Sequence, residues 1–486
     1  MGRSPAVARA SVYARASVYA LAVVTTLGNG LGCAGERESS LQRELARDHI
    51  KLFAPAEPLI ELKDKATPDH AEANAHLHDY VLLALEHNQT IIAEFERFRA
   101  SVLRISKARR LPEPIIGIGY FVRPVETRVG PQRTRVGIQQ AFPWPTKLSA
   151  GADMASAQAQ ALQRRLQAQA LGVSEAVARA YWQLWQVRET RTVQRAHLDV
   201  VHGLSASVRA RLETGTAMLS DLQQIDLSAA RVADRIRDLD EAERTTEAQL
   251  QAAVGGAADL PLNTADAPGA PAMPALPTAD LSALLDRHPL IESAAFLAEA
   301  ATAMAEAEAA DRLPSFTLGA DWIITGTARM PGVPDSGQDA VIASAGIRVP
   351  LWQGSYNDSV AAAQADARAQ QAQRQALLDQ AQANLIATLG RLRNSGRQVV
   401  LYQETLVPQA EAAYESVLGA YTVGRGSVAE ALLAQRDLLE LRVELTRAQA
   451  EHARMWARLE ELVGQTITRG SASFEHDPAS ELGESQ

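Results

Sequence analysis

The chain has one cysteine, few aromatic residues and almost no proline in two long stretches. Cys33 is the only cysteine among 486 residues, so the sequence contains neither a disulfide framework nor a cluster of thiolate metal ligands. Aromatic residues make up 5% of the chain, and alanine supplies much of its 47% hydrophobic fraction, which suits close helix packing better than a thick globular core. The composition therefore predicts long packed helices instead of several separate globular domains.

The charge and the motifs that are missing exclude further classes of function. The formal net charge is −9, and Lys and Arg are mixed with Asp and Glu along the predicted helices, which argues against a nucleic-acid-binding protein. The sequence contains no glycine-rich phosphate loop, no HExxH and no GxSxG motif. The histidines near its start are interpreted as solvated residues because their spacing splays them around a helix. We therefore expect no enzyme, no metal site and no cofactor.

Residues 1–33 have the layout of a secretory signal. Three arginines precede an apolar run from Val18 to Leu27, and the segment ends at Cys33. It resembles a bacterial lipoprotein signal, in which cleavage leaves the cysteine first and lipid-modified; an ordinary cleaved signal and a buried free cysteine are the alternatives. Ala34 follows Cys33 where Asp is associated with retention in the inner membrane, so a lipidated chain is expected in the outer membrane.

Proline is absent from 148–213 and occurs once, as Pro408, in 355–423. At about 1.5 Å per residue each stretch predicts a helix of roughly 100 Å, and Pro408 is a position at which the second helix can kink. Each helix follows a cluster of proline and aromatic residues, Phe142-Pro143-Trp144-Pro145 or Val349-Pro350-Leu351-Trp352. The chain therefore contains one unit twice, a strand pair followed by a very long helix.

Landmarks at nearly constant spacing indicate a tandem duplication. Pro112 and Pro314, each after a leucine, lie 202 residues apart (314 − 112), and Gly215 and Gly424 in the far turns lie 209 apart (424 − 215). We divide the chain into a signal peptide (1–33), an N-terminal arm (34–68), a first repeat (69–255), an Ala/Pro-rich linker (256–278), a second repeat (279–467) and a disordered tail (468–486).

Four segments of about ten residues alternate apolar with small or polar residues. They predict strands at about 114–123, 134–143, 315–325 and 340–350, joined in pairs by exposed loops at 124–133 and 327–339. A tilted strand of that length crosses a bilayer, although a soluble sheet with one buried face would alternate in the same way. Because four strands cannot close a barrel and open edges in lipid leave backbone groups unpaired, a membrane sheet needs several copies of the chain.

The turns after the long helices contain candidate gate residues. Gly215 and Gly424 can supply the positive φ that ends a helix, and Ser427 with Glu430 three residues later predicts a capping box. Asp221 stands six residues after Gly215, as Glu430 does after Gly424. A ring of such carboxylates at the end of a helical tube would favour cations.

Together these motifs resemble those of the TolC-like outer-membrane efflux proteins over roughly residues 70–467. The matching segments are the two Leu-Pro pairs, the clusters at 142–147 and 349–354, and the segment from Ala420-Tyr421 and Gly424 to Leu433-Ala434-Gln435-Arg436. The phrase Phe142-Pro143-Trp144-Pro145 looks most like the heavy-metal branch of the family.

The resemblance implies a mainly α fold with a β-barrel part. The expected assembly is a homotrimer, in which four strands per chain form a twelve-stranded transmembrane β-barrel and the long helices form a periplasmic α-barrel. It implies passive conduction, with a periplasmic membrane-fusion adaptor and an inner-membrane pump of RND type as partners. It also implies localisation in the outer membrane, with a lipid anchor on the periplasmic side.

The resemblance also suggests roles for individual residues. Tyr421 and Asp221 match gate positions near the two turns, Glu430 matches an acidic constriction position, and Arg425 stands one residue before the usual basic position. Trp144 and Trp352, after the strands, are expected to anchor the chain at the membrane interface.

Three functions are compatible with these features. The first is an export duct for small solutes such as metal ions or drugs. The second is a type I protein-secretion duct of the same fold. The third, of a different class, is a periplasmic coiled-coil adaptor or scaffold.

Overall fold

A computed structural model of the chain describes residues 36–45, 76–256, 262–264 and 266–470. The predicted signal peptide with Cys33, most of the N-terminal arm and residues 471–486 of the predicted tail lie outside the described residues.

The described elements repeat one order. Helix α1 (Glu36–Leu45) precedes the first repeat. That repeat contains α2 (Leu77–His87), α3 (Gln89–Arg109), β1 (Ile115–Thr127), β2 (Gly130–Phe142), α4 (Pro145–Glu213) and α5 (Leu219–Val254). After β3 (Met273–Pro274), the second repeat contains α6 (Thr278–Leu285), α7 (Pro289–Ala310), β4 (Ser315–Thr325), β5 (Ala340–Arg348), α8 (Gln353–Leu401), a π-helical turn (Tyr402–Leu406), α9 (Val407–Thr422) and α10 (Val428–Val463), followed by β6 (Arg469–Gly470). The fold is thus mainly α with one four-stranded sheet.

The chain divides into two compact units. The strand unit includes 96–163 and 293–374 and holds the four-stranded sheet. The hairpin unit includes 164–292 and the chain from 375 onward, and holds both turns that follow the long helices. No helix in the described part of the chain is long and apolar enough to cross a membrane.

The four long strands form one antiparallel sheet in the order β1-β2-β4-β5. The pairing of β2 with β4 joins the two repeats, a contact that the sequence pattern does not specify. One row of facing residues runs across all four strands: Ile118, Val136, Trp322 and Val341. Because side chains alternate between faces, this row and its equivalents two residues away make one face of the sheet apolar.

The predicted loop at 124–133 is wrong in extent, because β1 continues to Thr127 and β2 begins at Gly130. Pro124 suggested a loop, yet it lies in β1, which has a paired neighbour on one side only within the chain. A missing N–H is tolerated on such an edge strand. The register also shifts between Tyr120 and Val125, so the residues around Pro124 need not follow a regular ladder.

Pro408 is accommodated by a local change of helix type. Five residues, Tyr402–Leu406, form a π-helical turn, and α9 begins at Val407 with the proline in its first turn. Proline has no N–H, and its ring collides with the carbonyl four residues earlier in an α-helix. The wider turn relieves that collision, so the second long helix continues in three segments.

A two-stranded sheet connects the predicted linker with the predicted tail. Met273 pairs with Gly470 and Pro274 with Arg469, and the Ala275 N–H donates to the Thr468 carbonyl at 3.1 Å. The start of the predicted tail is therefore part of the hairpin unit.

A cluster of buried apolar residues holds α6, α8 and α10 together. Its fully buried members include Leu285, Leu385, Leu392 and Leu459. Each helix contributes one apolar stripe, because leucines three to four residues apart, or seven, share a helix face.

Truncation at Leu385 should destabilise this cluster. Leu385→Ala leaves a cavity in a site with no exposed surface, so we expect a loss of about 2–5 kcal/mol in the free energy of unfolding. Leu276→Ala, which truncates a side chain that is 40% exposed, should cost about 1 kcal/mol or less. Thermal unfolding of the two purified variants, followed by circular dichroism, compares these losses. Equal losses would contradict the assigned core.

Candidate functional site

The two turns that follow the long helices have the same backbone geometry. Gly215 has φ 73° and Gly424 has φ 76°, a left-handed conformation that glycine adopts without a Cβ clash. The residue after each glycine donates its N–H to the carbonyl five positions earlier, Thr216 to Arg211 and Arg425 to Ala420, both at 2.8 Å. Each glycine also donates its N–H to the carbonyl three positions earlier, Gly215 to Leu212 and Gly424 to Tyr421. The two bonds in each turn satisfy carbonyls at the helix end, so both long helices end in the same way.

Both candidate gate carboxylates cap the helix that follows the turn. Glu430 Oε2 accepts the Ser427 N–H at 2.9 Å, and the Ser427 hydroxyl accepts the Glu430 N–H at 3.1 Å. The capping box predicted at Ser427 is therefore confirmed. Asp221 Oδ2 accepts the Met218 N–H at 3.2 Å, but Met218 has no hydroxyl to return the bond. The first repeat thus keeps the acidic half of the motif.

The hydrogen bonds at Ser427 favour the ionised form of Glu430. The backbone N–H of Ser427 is the largest cause, and the Ser427 side chain the next, of a Glu430 pKa below its usual value. Glu430 is exposed and therefore carries its negative charge at neutral pH while it caps α10. A residue in this position can serve both the helix end and a charged surface.

Tyr421 is buried in an apolar cluster between the hairpins. It is 5% exposed and packs with five other buried residues: Val201, Leu204, Val208, Ile225 and Val428. Its hydroxyl is buried and has no hydrogen-bond partner in the described structure. Tyr421 and Asp221 were both matched to gate positions, but among the described residues no hydrogen bond joins their side chains.

Arg211 contacts Tyr421 and was not predicted from the sequence. Its guanidinium lies 4.6 Å from the Tyr421 ring centre and donates to the carbonyls of Tyr421 (3.2 Å) and Thr422 (2.9 Å). Arg425, the predicted basic residue, is exposed and makes no side-chain bond to the described part of the chain. The sequence did contain one signal, a basic residue in the last turn of α4, where a positive charge is stabilised by the free carbonyls of the helix end. Which carbonyls this residue contacts depends on tertiary packing.

Trp144 follows β2 and Trp352 follows β5, and these two strands finish at the same end of the sheet. Trp144 is half-buried and its ring centre lies 6.3 Å from that of Phe316, whereas Trp352 is 77% exposed. Both positions fit side chains that lie where an apolar surface meets a polar one.

The apolar face of the sheet is uncovered in the single chain. Ile118 is 78% exposed, Val122 88% and Val341 75%. A continuous apolar surface of this kind on an otherwise charged protein marks contact with an apolar phase or another protein. The opposite face contains mostly glycine and polar side chains, including an ion pair between Arg135 and Asp321.

The early histidines do not form a metal cluster in the part of the chain that the structure describes. His76 Nδ1 lies 2.6 Å from Asp266 Oδ1, and this hydrogen bond raises the pKa of His76. Among the described residues, no three His, Cys, Asp or Glu side chains are grouped so that they would hold a metal ion.

Comparisons with known proteins agree with this architecture. Residues 281–465 match the family model described as outer membrane efflux protein. The outer membrane efflux protein BepC of Brucella suis biovar 1 (strain 1330) is 23% identical over 288 residues, which cover 57% of this chain and 59% of BepC, less than two thirds of that relative. Among solved structures, VceC of Vibrio cholerae has a TM-score of 0.66 at 20% identity, over 80% of this chain and 96% of VceC. CusC has a TM-score of 0.69 at 16% identity, over 85% of this chain and 98% of CusC.

The fold is that of the TolC-like channel structures, among them VceC and CusC. Its second repeat matches the outer membrane efflux protein family, and in sequence and fold the chain is similar to the TolC-like efflux proteins. The predicted TolC-like fold class is confirmed as a mainly α chain with one four-stranded sheet.

The cap at Ser427 should protect the start of α10. Ser427→Ala removes the bond to the Glu430 N–H, and a lost cap of about 1 kcal/mol corresponds to about fivefold faster local hydrogen exchange. For Glu430→Gln the effect depends on pH. Because the folded pKa is lowered, the carboxylate's contribution is present above the ordinary carboxyl pKa and is lost as pH falls through the lowered value.

Hydrogen exchange with mass spectrometry over residues 425–433 measures both effects. The exchange difference between wild type and Glu430→Gln should be largest near neutral pH and should disappear in acid. Glu415→Gln, an exposed carboxylate of α9, is the matched control and should change nothing at these residues. A difference that persists unchanged in acid would exclude the capping carboxylate as its cause.

Arg211→Ala should loosen the second turn. The variant removes two charge-assisted bonds and the contact with the Tyr421 ring, together worth about 1–3 kcal/mol. We expect trypsin to cleave after the exposed Arg425 about tenfold faster. Arg209→Ala, two positions earlier and exposed, is the matched control. Equal cleavage rates in both variants would show that Arg211 does not hold the turn.

Proposed function

We propose that three copies of this chain form a passive efflux conduit in the outer membrane. The observation that carries the proposal is the uncovered apolar face of the four-stranded sheet, in a chain whose charged residues lie mostly on its helices. An apolar face of this kind is stable in lipid, whereas in water it would drive association. The small and polar opposite face suits a water-filled interior.

The edges of the sheet support an assembly of several copies. In one chain β1 pairs only with β2 and β5 only with β4, so both outer edges present unpaired backbone groups. Each such group costs several kcal/mol in lipid. If β5 of one copy pairs with β1 of the next, three copies close a twelve-stranded sheet with no free edge, and the contact is a heterologous one that closes into a ring.

The hairpin turns are the proposed gate of the conduit. Three copies bring together three Asp221 and three Glu430 carboxylates, and Glu430 is ionised at neutral pH because its pKa is lowered. Gly215 and Gly424 end the long helices so that these carboxylates stand at the turn. A ring of negative charge at a narrow opening favours cations over anions. Tyr421 and Arg211 hold the two turns of one chain together, and Arg425 remains an exposed charge beside them.

The remaining parts of the proposal concern partners and anchoring. A passive conduit needs an energy source elsewhere, which we assign to an inner-membrane pump of RND type joined through a periplasmic membrane-fusion adaptor. The proposed cargo is small solutes, metal ions or drugs. We place Trp144 and Trp352 at the inner membrane interface and a lipid on Cys33, so that the periplasmic side of each chain is also anchored.

The test uses the full chain purified from outer-membrane fractions. We expect a trimer that separates into monomers only on heating, single-channel conductance in planar bilayers, and a lipid mass on Cys33 that is absent from Cys33→Ser. Cells that lack the chain should become sensitive to small toxic solutes. Loss of a secreted polypeptide with unchanged sensitivity would instead indicate a protein-secretion duct. A soluble, non-conducting protein would instead indicate a periplasmic coiled-coil adaptor or scaffold.

A separate double variant tests whether Asp221 and Glu430 lie at the gate. Asp221→Asn combined with Glu430→Gln removes six negative charges per trimer and should lower the cation-to-anion permeability ratio at least about twofold. The matched control, Glu241→Gln, changes a carboxylate that is 71% exposed on α5 and should leave the ratio unchanged. An unaltered ratio in the double variant would remove both residues from the constriction.

A further inference from the structure

One ion pair lies on the polar face of the sheet, where the two repeats meet. Arg135 of β2 and Asp321 of β4 bind through two bonds, Nε to Oδ1 at 2.9 Å and Nη2 to Oδ2 at 2.7 Å. A two-bond pair of this kind fixes the orientation of both groups, unlike a single flexible surface contact. The Arg135 side chain is 56% exposed, whereas the Asp321 side chain is only 14% exposed.

The sheet is shaped to hold that carboxylate. Gly137 is the residue directly opposite Asp321, and a Cβ on Gly137 would lie 2.1 Å from Asp321 Oδ1. The side chain of Asp321 therefore lies flat across the position that a larger residue would fill. Two further pairs on this face repeat the arrangement, with a glycine opposite a hydroxyl: Gly319 with Ser344, and Gly346 with Thr317.

Asp321 differs from the other charged residues of the four long strands in its sign and its position. The four long strands contain four arginines and two acids: Arg123, Arg133, Arg135 and Arg348, with Glu126 and Asp321. Glu126 lies at the turn between β1 and β2 and contacts Arg329. Asp321 is thus the one acidic residue in the middle of these strands, although the whole chain has a net charge of −9.

We propose that Asp321 is a specificity-determining residue of the conduit. By neutralising Arg135, it keeps the middle of the sheet's polar face from selecting anions. The inference rests on the proposed function, in which three copies turn this face towards the water-filled interior. The three pairs then form a ring with no net charge, between arginines at either end of the strands. Loss of one member of each pair gives the ring three charges of one sign.

The expected effects have opposite signs for the two partners. Asp321→Asn keeps the size of the side chain and leaves three unpaired guanidinium groups, so the anion-to-cation permeability ratio should rise at least about twofold. Arg135→Gln leaves three carboxylates and should lower the same ratio by a similar factor. The combined variant, neutral at both positions, should return to the wild-type ratio. A merely structural role would not give opposite shifts that cancel.

The experiment measures reversal potentials of purified trimers in planar bilayers under a KCl gradient. Asp335→Asn is the matched control, because it removes the same charge from the loop between β4 and β5 at a residue with φ 64°, a conformation that asparagine also adopts. Raising the salt concentration should shrink the shifts through screening.

Each outcome bears on one proposal. Wild-type protein that forms no channel would overturn the proposed function itself. Conducting wild-type trimers whose permeability ratio is unchanged in both Asp321→Asn and Arg135→Gln would overturn the role of the pair and leave the conduit intact. If one variant fails to assemble, the other still gives a shift of predicted sign. A shift of the wrong sign would also overturn the inference.

Discussion

The pairing of β2 with β4 is the contact on which the architecture depends. Each repeat alone supplies a two-stranded hairpin, which is at best marginally stable. Joining the hairpins buries two former edges and leaves only β1 and β5 with unpaired backbone groups. It also aligns the apolar rows of both repeats, so that Ile118 and Val341, on opposite edges of the sheet, share one face. The free edges therefore need further strands to pair with, and the apolar face needs apolar surroundings.

The other end of each repeat is governed by the backbone groups of helix termini. A long helix can return as a hairpin only if its last carbonyls and the first N–H groups of the next helix are satisfied. Gly215 and Gly424 solve the first problem by the same left-handed turn, and Asp221 and Glu430 contribute to the second. The carboxylates therefore have a local structural reason to exist. A charged ring in an assembly would be an additional use of residues already required by the turns.

Features set by neighbours in sequence were predictable, and those set by packing were not. Alternation and the Leu-Pro landmarks located all four strands, and the spacing of Ser427 and Glu430 predicted the capping box. The length of the loop at 124–133 was overestimated, because proline interrupts a strand only where a backbone N–H is needed for pairing and Pro124 lies in an edge strand. The β2–β4 pairing, the β3–β6 pairing and the contact of Arg211 with Tyr421 join residues far apart in the chain. No local pattern encodes which distant partner each one meets.

The Arg211 contact also constrains how a gate of this kind could open. Arg211 belongs to the turn of the first repeat and binds carbonyls at the end of α9, in the turn of the second. Tyr421 is buried among residues of both hairpins, including Val208 and Val428. Separating the two turns of one chain would expose this cluster and break charge-assisted bonds, at a cost of several kcal/mol. Sliding whole hairpin pairs of neighbouring copies past one another breaks none of these contacts, so opening of the proposed conduit should take place between chains.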